Sequence, residues 1–473
     1  MLRFTKGDHL PPRAGSKVAR IAIPVSLEFM LVLGLTFVNQ IIVGGLGGVA
    51  VAAVGFANSI HTIPVFFFGA LNVGAGVVAA RAFGGGQKRV VSKSVTFAVI
   101  LSVVTGVVAA IPFVLFPDEI LRLAGASEGV VTQGSGYLAV LVAGLAAGVL
   151  GMVLGAVLRS VDRPRSPMVA TIITVALNTP LAIVFVYGIG PFEGMGVVGA
   201  AWATLITTVL KAVILLIQTY LVFDVANWLV PSTRRDWVTI GRPIIVLAFP
   251  MALTSISWTF GNFFYNVIVA QLGDGPLAAI NIVFTMSSVF VVGSIGFGSA
   301  ITVLAGQAIG AGNSALAKDW VAYLLRLGIY TSIGFGVLFA LSSLALPVLF
   351  PRVEADVLWA ATLGILINAA LQPIAVRMLL MASVLPSGND TTGIIIGDFA
   401  GPYVVGLPLA IALAYFTPLG VLGAVIAKGG EDTVKWLIFA ARNRRIRWDT
   451  VVQRHEDSLI GIGDPRTGPI ATL

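Results

Sequence analysis

Stretches of about twenty or more apolar residues recur along this chain, separated by short polar turns, and they decide what it can fold into. Hydrocarbon offers the backbone no partners, so each stretch must satisfy its own N–H and C=O groups as a helix. Twelve such spans are read at 18–46, 51–80, 94–116, 129–158, 166–189, 196–223, 241–272, 275–306, 320–350, 355–385, 391–415 and 419–440. Only 11% of the residues are charged and 57% are hydrophobic, against about 25% charged in an average soluble domain. The chain therefore reads as an all-α polytopic membrane protein with the lipid bilayer as its solvent. Its 54 glycines suit closely approaching membrane helices. The net charge of +8 sits at the ends of apolar spans, which argues for topology rather than nucleic-acid binding. The absence of cysteine excludes disulfides and thiolate metal sites. The N-terminus MLRFTKGDHLPPRAGSK lacks the short apolar core of a signal peptide.

Lys and Arg mark the cytoplasmic side. They cluster at the N-terminus (Arg3, Lys6, Arg13, Lys17, Arg20), in the second loop (Arg81, Lys88, Arg89, Lys93), in the fourth (Arg159, Arg163, Arg165), in the sixth (Arg234, Arg235, Arg242) and in the tail RNRRIRW. The odd-numbered loops hold only Arg122 and Arg352, among acids such as Asp118, Glu128, Glu193, Asp274 and Glu354. Both termini are thus expected inside, in a plasma (inner) membrane. The chain also repeats itself. At a shift of 226 residues Pro24 meets Pro250, Leu46-Gly47 meets Leu272-Gly273, and Gly84 and Gly86 meet Gly310 and Gly312. Further on, NTPLAI (Asn178–Ile183) meets GLPLAI (Gly406–Ile411). An even number of spans per half makes the repeats parallel. The expected organisation is an N-lobe (1–223), a cytoplasmic linker (224–240), a C-lobe (241–441) and a basic tail (442–473), with a central cleft between the lobes suited to alternating access.

The segment LRSVDRPRSPMVATIITVALNTPLAIVFVYGIGPFEGMGVVGAAWAT, read as Leu-Arg, a polar turn, Pro-Met, Asn and then Met-Gly-x-x-Gly-Ala-Ala, resembles the multidrug and toxic compound extrusion (MATE) transporters. GQAIGAGNSALAKDW resembles the family's loop after the eighth span. The likeness covers almost the whole chain. It implies two six-helix lobes, and export of cationic amphipathic compounds against inward flow of Na⁺ or H⁺. The sequence departs from the family at two acids. Asn39 stands where the first span usually carries an aspartate. Asn178 is present, but Ala182 stands where some members continue Asn-x-x-x-Asp.

Ionisable groups at membrane depth are costly, so each is a candidate for function. Glu28 is the only acid well inside the N-lobe spans. It reads either as a structural carboxylate bonded to a neighbouring helix or as the ion-coupling group, with Na⁺ near it as the only metal considered. Eleven residues on, Asn39 shares its face, roughly 16 Å away. Asn39 and Asn178 join the coupling set. Asn39, Gln40, Asn262, Tyr265 and Asn266 form the expected substrate cleft, or else simply tie helices together. Pro24 removes a backbone donor one turn before Glu28 and is read as a hinge. Arg377 and Asp398 lie about 12–14 Å from one turn on successive spans and are expected to pair. His61 reads as a bonded structural histidine, Lys211 and Lys435 as repeat-equivalent structural lysines, and Glu431 and Asp432 as a helix face compensated by Lys428 and Lys435.

No enzyme motif is present, and no cofactor is expected beyond Na⁺ or H⁺ as coupling ion. The reading is a monomeric secondary antiporter for small organic cations. Its rivals are a lipid-linked precursor flippase, which would want a cationic cleft and more than twelve spans, and a non-transporting receptor or scaffold.

Overall fold

A computed structural model describes residues 9–189, 192–351 and 353–459. Arg3, Lys6 and Arg352, used in the charge reading, lie outside them, as does the end of the tail. The long helices are α1 (Ala14–Gly44), α2 (Gly48–Gly84), α3 (Lys88–Leu115), α4 (Glu128–Ala143 continued by Leu145–Ser160), α5 (Arg165–Tyr187), α6 (Val197–Val222), α7 (Arg234–Ala270), α8 (Asp274–Gly310), α9 (Ser314–Leu349), α10 (Ala355–Ser387), α11 (Thr391–Tyr415) and α12 (Val421–Asn443). Each span read from the sequence overlaps one of these helices. The strand content among the described residues is a two-residue pair, Gly188–Ile189 against Phe192–Glu193. Among the described residues, ten helices are long and apolar enough to cross a membrane, and eleven if the two parts of α4 count as one span. The twelfth, α12, carries Lys428, Glu431, Asp432 and Lys435 along its middle, which lowers its hydropathy. The tail is not featureless. Trp448–Leu459 forms a further helix, α13, which buries Trp448, Val451 and Val452 at helical spacing.

The repeat is written into the backbone. Gly47 and Gly273 take φ of 105° and 111°, values that only glycine reaches without a Cβ clash. Gly86 and Gly312, Asp162 and Asn389, and Gly196 and Gly420 form three more positive-φ pairs at matching places. The turns after α2, α4, α8 and α10 close the same way. In them the N–H groups of Gln87, Arg163, Asn313 and Asp390 donate to the carbonyls of Ala82, Leu158, Ala308 and Leu385, a Schellman-type closure of the helix end. A tertiary contact repeats as well. The Tyr187 hydroxyl donates to the Ile42 carbonyl, and the Tyr415 hydroxyl to the Ile268 carbonyl at 2.6 Å. Each occupies a carbonyl in the last turn of a leading helix that has no partner within the helix.

The chain divides into two compact units, and their borders differ from the expected linker. One unit contains Leu27–Ala252. The other contains Leu253–Asp457 together with the chain up to Ser26. Helices α1 and α7 each begin in one unit and continue in the other, and the repeat-equivalent Pro24 and Pro250 sit two residues before the two crossings. Close backbone contact explains the assignment. A Cβ on Gly296 of α8 would stand 2.1 Å from the Ala22 carbonyl oxygen of α1. A Cβ on Gly74 of α2 would stand 2.3 Å from that of Ile244 in α7.

In the N-terminal unit α4 bends by 43° at Gly144. Glycine is a usual kink site, and here the Gly144 N–H reaches the Leu141 carbonyl instead of the one a full turn back. The residues following the bend, Ala147, Gly148 and Gly151, are small, and they leave open space beside them.

Gly74→Ala and Gly296→Ala should each lower stability by about 1–3 kcal/mol, since backbone must move. Gly34→Ala, with nothing within 4 Å, should not. Thermal melting of the three purified variants compares them directly, and equal melting temperatures would contradict the close contacts.

Candidate functional site

The space beside the α4 bend is a cavity of about 530 Å³ whose lining residues all belong to the N-terminal unit. Helices α1, α2, α4, α5 and α6 wall it. Its polar surface comes from Asn39 and Gln40 on α1, Asn58 and His61 on α2, Tyr137 on α4, several threonines of α5 and α6, and Lys211. The Tyr137 hydroxyl donates to Asn58 Oδ1 at 3.3 Å. Thr207 and Thr204 donate to carbonyls of their own helix. The Asn39 amide oxygen is buried and makes no hydrogen bond.

Beneath this wall lies Glu28, 6% exposed. Arg159 Nη1 donates to its Oε2 at 3.1 Å, Lys211 Nζ to its Oε1 at 3.1 Å, and Thr171 Oγ1 to Oε1 at 3.4 Å. The carboxylate is therefore bonded to three neighbouring helices, the structural alternative in the sequence reading. It is not on the cavity wall, although Asn39 of the same helix is. Helical periodicity places two residues on one face but does not say what reaches over from another helix. Both carboxylate oxygens are already held by cations, Oε2 by Arg159 and Oε1 by Lys211. Among the described residues no group of three or more potential metal ligands occurs.

Asn178 is fully buried and stands behind the wall. Its Nδ2 donates to Thr207 Oγ1 at 3.0 Å and joins α5 to α6. Ala182 is buried beside it. His61, read as bonded, instead lines the cavity, with no hydrogen bond or ion pair among the described residues. Asn58 and Tyr137 escaped the sequence reading, although both are polar residues inside apolar spans, which was the available signal.

In the C-terminal unit the expected pair of Arg377 and Asp398 is not formed. Asp398 Oδ1 lies 3.3 Å from Lys435 Nζ. Arg377 sits over the Trp436 ring, 5.0 Å from its centroid, with Nε unpartnered. Equal depth on successive helices does not fix which way two side chains point, and Lys435 on α12 takes the carboxylate first. Lys435 also binds Glu431 Oε1 at 3.1 Å, and Lys428 binds the same oxygen at 2.8 Å. The expected compensation of Glu431 thus exists. Asp432, half-buried, receives no hydrogen bond or ion pair among the described residues. Tyr265, expected on a cleft surface, is fully buried with an unpartnered hydroxyl, and its ring lies 5.2 Å from Lys428 Nζ. Asn262 and Asn266 are half-buried one turn apart, and the Asn266 amide donates to the Asn262 carbonyl.

The model of the MatE family matches residues 24–184 and 250–412, once in each half. The probable multidrug resistance protein NorM of Thermotoga maritima is 26% identical over 442 residues, which cover 90% of this chain and 92% of that protein. The multidrug resistance protein NorM of Vibrio cholerae is 25% identical, covering 88% and 92%. A FAD transporter of Shewanella oneidensis is 23% identical, covering 87% and 90%. Among solved structures, MATE in complex with MaL6 superposes with a TM-score of 0.83 at 20% identity, over 93% of this chain and 97% of that one. A MOP superfamily transporter from Pyrococcus furiosus, described as having a binding pocket of reverse polarity, superposes at 0.83 and 21% identity over 96% and 100%. At such identities the likeness concerns the fold.

Lys435→Met should cost about 3–5 kcal/mol, because it strands buried charge. Arg377→Met should cost only about 1 kcal/mol, the worth of its ring contact. Denaturant unfolding of the purified protein measures both, and a larger loss at Arg377 would refute the assignment. Cysteine placed at Asn39 should react with a small aqueous thiol reagent, and cysteine at Tyr265 should not until the protein is unfolded. Equal labelling rates would show that Tyr265 is accessible.

Proposed function

The chain belongs to the MatE family, and on that premise we propose that it is a secondary active exporter of amphipathic organic compounds that works by alternating access in exchange for Na⁺ or H⁺. It is a MATE transporter and a multi-pass inner-membrane protein, and transporters of this family are not enzymes. The observation that carries the reading is the cavity at membrane depth in the N-terminal unit, large enough for a small organic molecule and lined by unpaired amide and imidazole groups. The Lys and Arg bias supports placing both termini in the cytoplasm. Relatives named multidrug resistance proteins support efflux. A relative named for FAD supports a substrate range wider than organic cations. A lipid-linked precursor flippase would want more than the twelve long helices described.

The coupling role first given to Glu28 with Asn39 and Asn178 passes, in this proposal, to the C-terminal unit. Glu28 is held by two cations, and Asn178 is engaged with Thr207. Asp432 is a carboxylate at membrane depth without a direct partner, and Asp398 is tied only by the longest of the ion pairs to Lys435. These two carboxyl groups can take up a proton or Na⁺ with the least rearrangement. Organic cations, the class implied by the family resemblance, are the first substrates to test. Pro24 and Pro250, where α1 and α7 pass between units, are proposed as the points at which these helices bend.

Uptake of fluorescein and of rhodamine 123 into inverted vesicles, under Na⁺ and H⁺ gradients imposed separately, tests this. One gradient should drive accumulation of at least one dye. Asp432→Asn combined with Asp398→Asn should abolish the response to the gradient, and Glu28→Gln should retain it. Gradient-driven uptake that survives the double substitution and is lost in Glu28→Gln would return coupling to the N-terminal unit.

A further inference from the structure

The charge at the N-terminal cavity points to a substrate class opposite to the one the family resemblance implies. We infer that this cavity accepts amphipathic organic anions, that is, carboxylates, sulfonates or phosphates carried on an apolar body, and that Lys211 is the residue that holds the anionic group. The inference rests on the exporter reading only in treating the cavity as the substrate site.

Three observations carry it. First, no Asp or Glu lines the cavity, and Lys211 is the one fully charged residue among those that do. Second, the nearest acid is unavailable to a cationic ligand. Glu28 lies beneath the wall with Arg159 on one oxygen and Lys211 on the other, so a cation could reach it only by displacing one of them. Third, the group carries a net charge of +1, from Arg159 and Lys211 against Glu28 alone. The two cations are not equally open: the Arg159 side chain is 12% exposed and that of Lys211 is 22%. An ammonium has three protons to donate, and Lys211 spends one on Glu28. The others are free for an acceptor in the cavity. In a membrane-embedded site of low dielectric, water screens such a charge weakly, so its sign weighs heavily on what can enter.

The test uses two dyes on one xanthene frame, fluorescein (anionic) and rhodamine 123 (cationic), titrated by fluorescence anisotropy against the full chain in nanodiscs. Fluorescein should bind at least about tenfold more tightly than rhodamine 123, as one unscreened charge at close range predicts. Lys211→Gln should remove most of that preference, and Lys211→Arg should preserve it. Glu28→Gln should strengthen fluorescein binding, because it frees both cations. That gain is one a merely structural role for Glu28 would not produce, and the unmodified chain's preference between the two dyes keeps the inference falsifiable if neither Lys211→Gln nor Glu28→Gln folds. Rhodamine 123 bound as tightly as fluorescein, neither dye bound, or weaker fluorescein binding in Glu28→Gln would each overturn the inference. Preference for rhodamine 123 with gradient-driven uptake intact would sink the anion and leave the exporter standing. Preference for fluorescein without any response to a gradient would do the reverse.

Discussion

Each half of this protein is organised around a lysine on its last long helix that holds a carboxylate out of hydrocarbon. Lys211 on α6 binds Glu28, and its repeat counterpart Lys435 on α12 binds Asp398 and Glu431. A single ionised group at this depth would cost several kcal/mol. The partners must therefore arrive together, and the helices carrying them must pack in register. In the N-terminal unit the bonds to Glu28 draw α1, α4, α5 and α6 to one point. The cavity opens directly above that point, so its floor is set by the same pairs that make burial of the charge tolerable.

The internal repeat explains why the same device occurs twice. Shared left-handed turns, shared closures of the helix ends and the paired Tyr187 and Tyr415 hydroxyls give the halves one backbone path. On that common frame the two sites have diverged. The first carries one acid against two cations. The second carries Asp398, Glu431 and Asp432 against Lys428 and Lys435, with Arg377 turned onto Trp436. The charge differs accordingly: the first site is left positive, and the second is acid-rich, with Asp432 unpaired among the described residues.

The spans and the repeat were legible because hydropathy and turn chemistry are local properties. The lobe borders were less so. Where a helix leaves one packed unit for another depends on contacts such as Gly296 with Ala22, which no local pattern announces. Arg377 and Asp398 show the same limit. Rise per residue gave their depth, but the choice of Lys435 depends on azimuth around a third helix. Tyr265 failed as a cleft residue for a related reason: repeat equivalence with Asn39 transfers position along the helix but not exposure. Helix α13 could have been found, since Trp448, Val451 and Val452 follow helical spacing, but the surrounding charge hid it.

The family resemblance implies an acid at the place of Asn39 and, in some members, at the place of Ala182. Of these two positions only Asn39 stands on the cavity wall, together with Lys211, while Ala182 is buried behind that wall and Arg159 lies behind Glu28. An ionised acid at position 39 would put a negative charge on the same wall and cancel the net charge of the Arg159, Lys211 and Glu28 group. Glu28 alone does not balance two cations, and the excess lies at Lys211 on the cavity. A polar reversal of this kind needs no new residue. It needs only an uncharged residue at position 39 beside the lysine that holds Glu28.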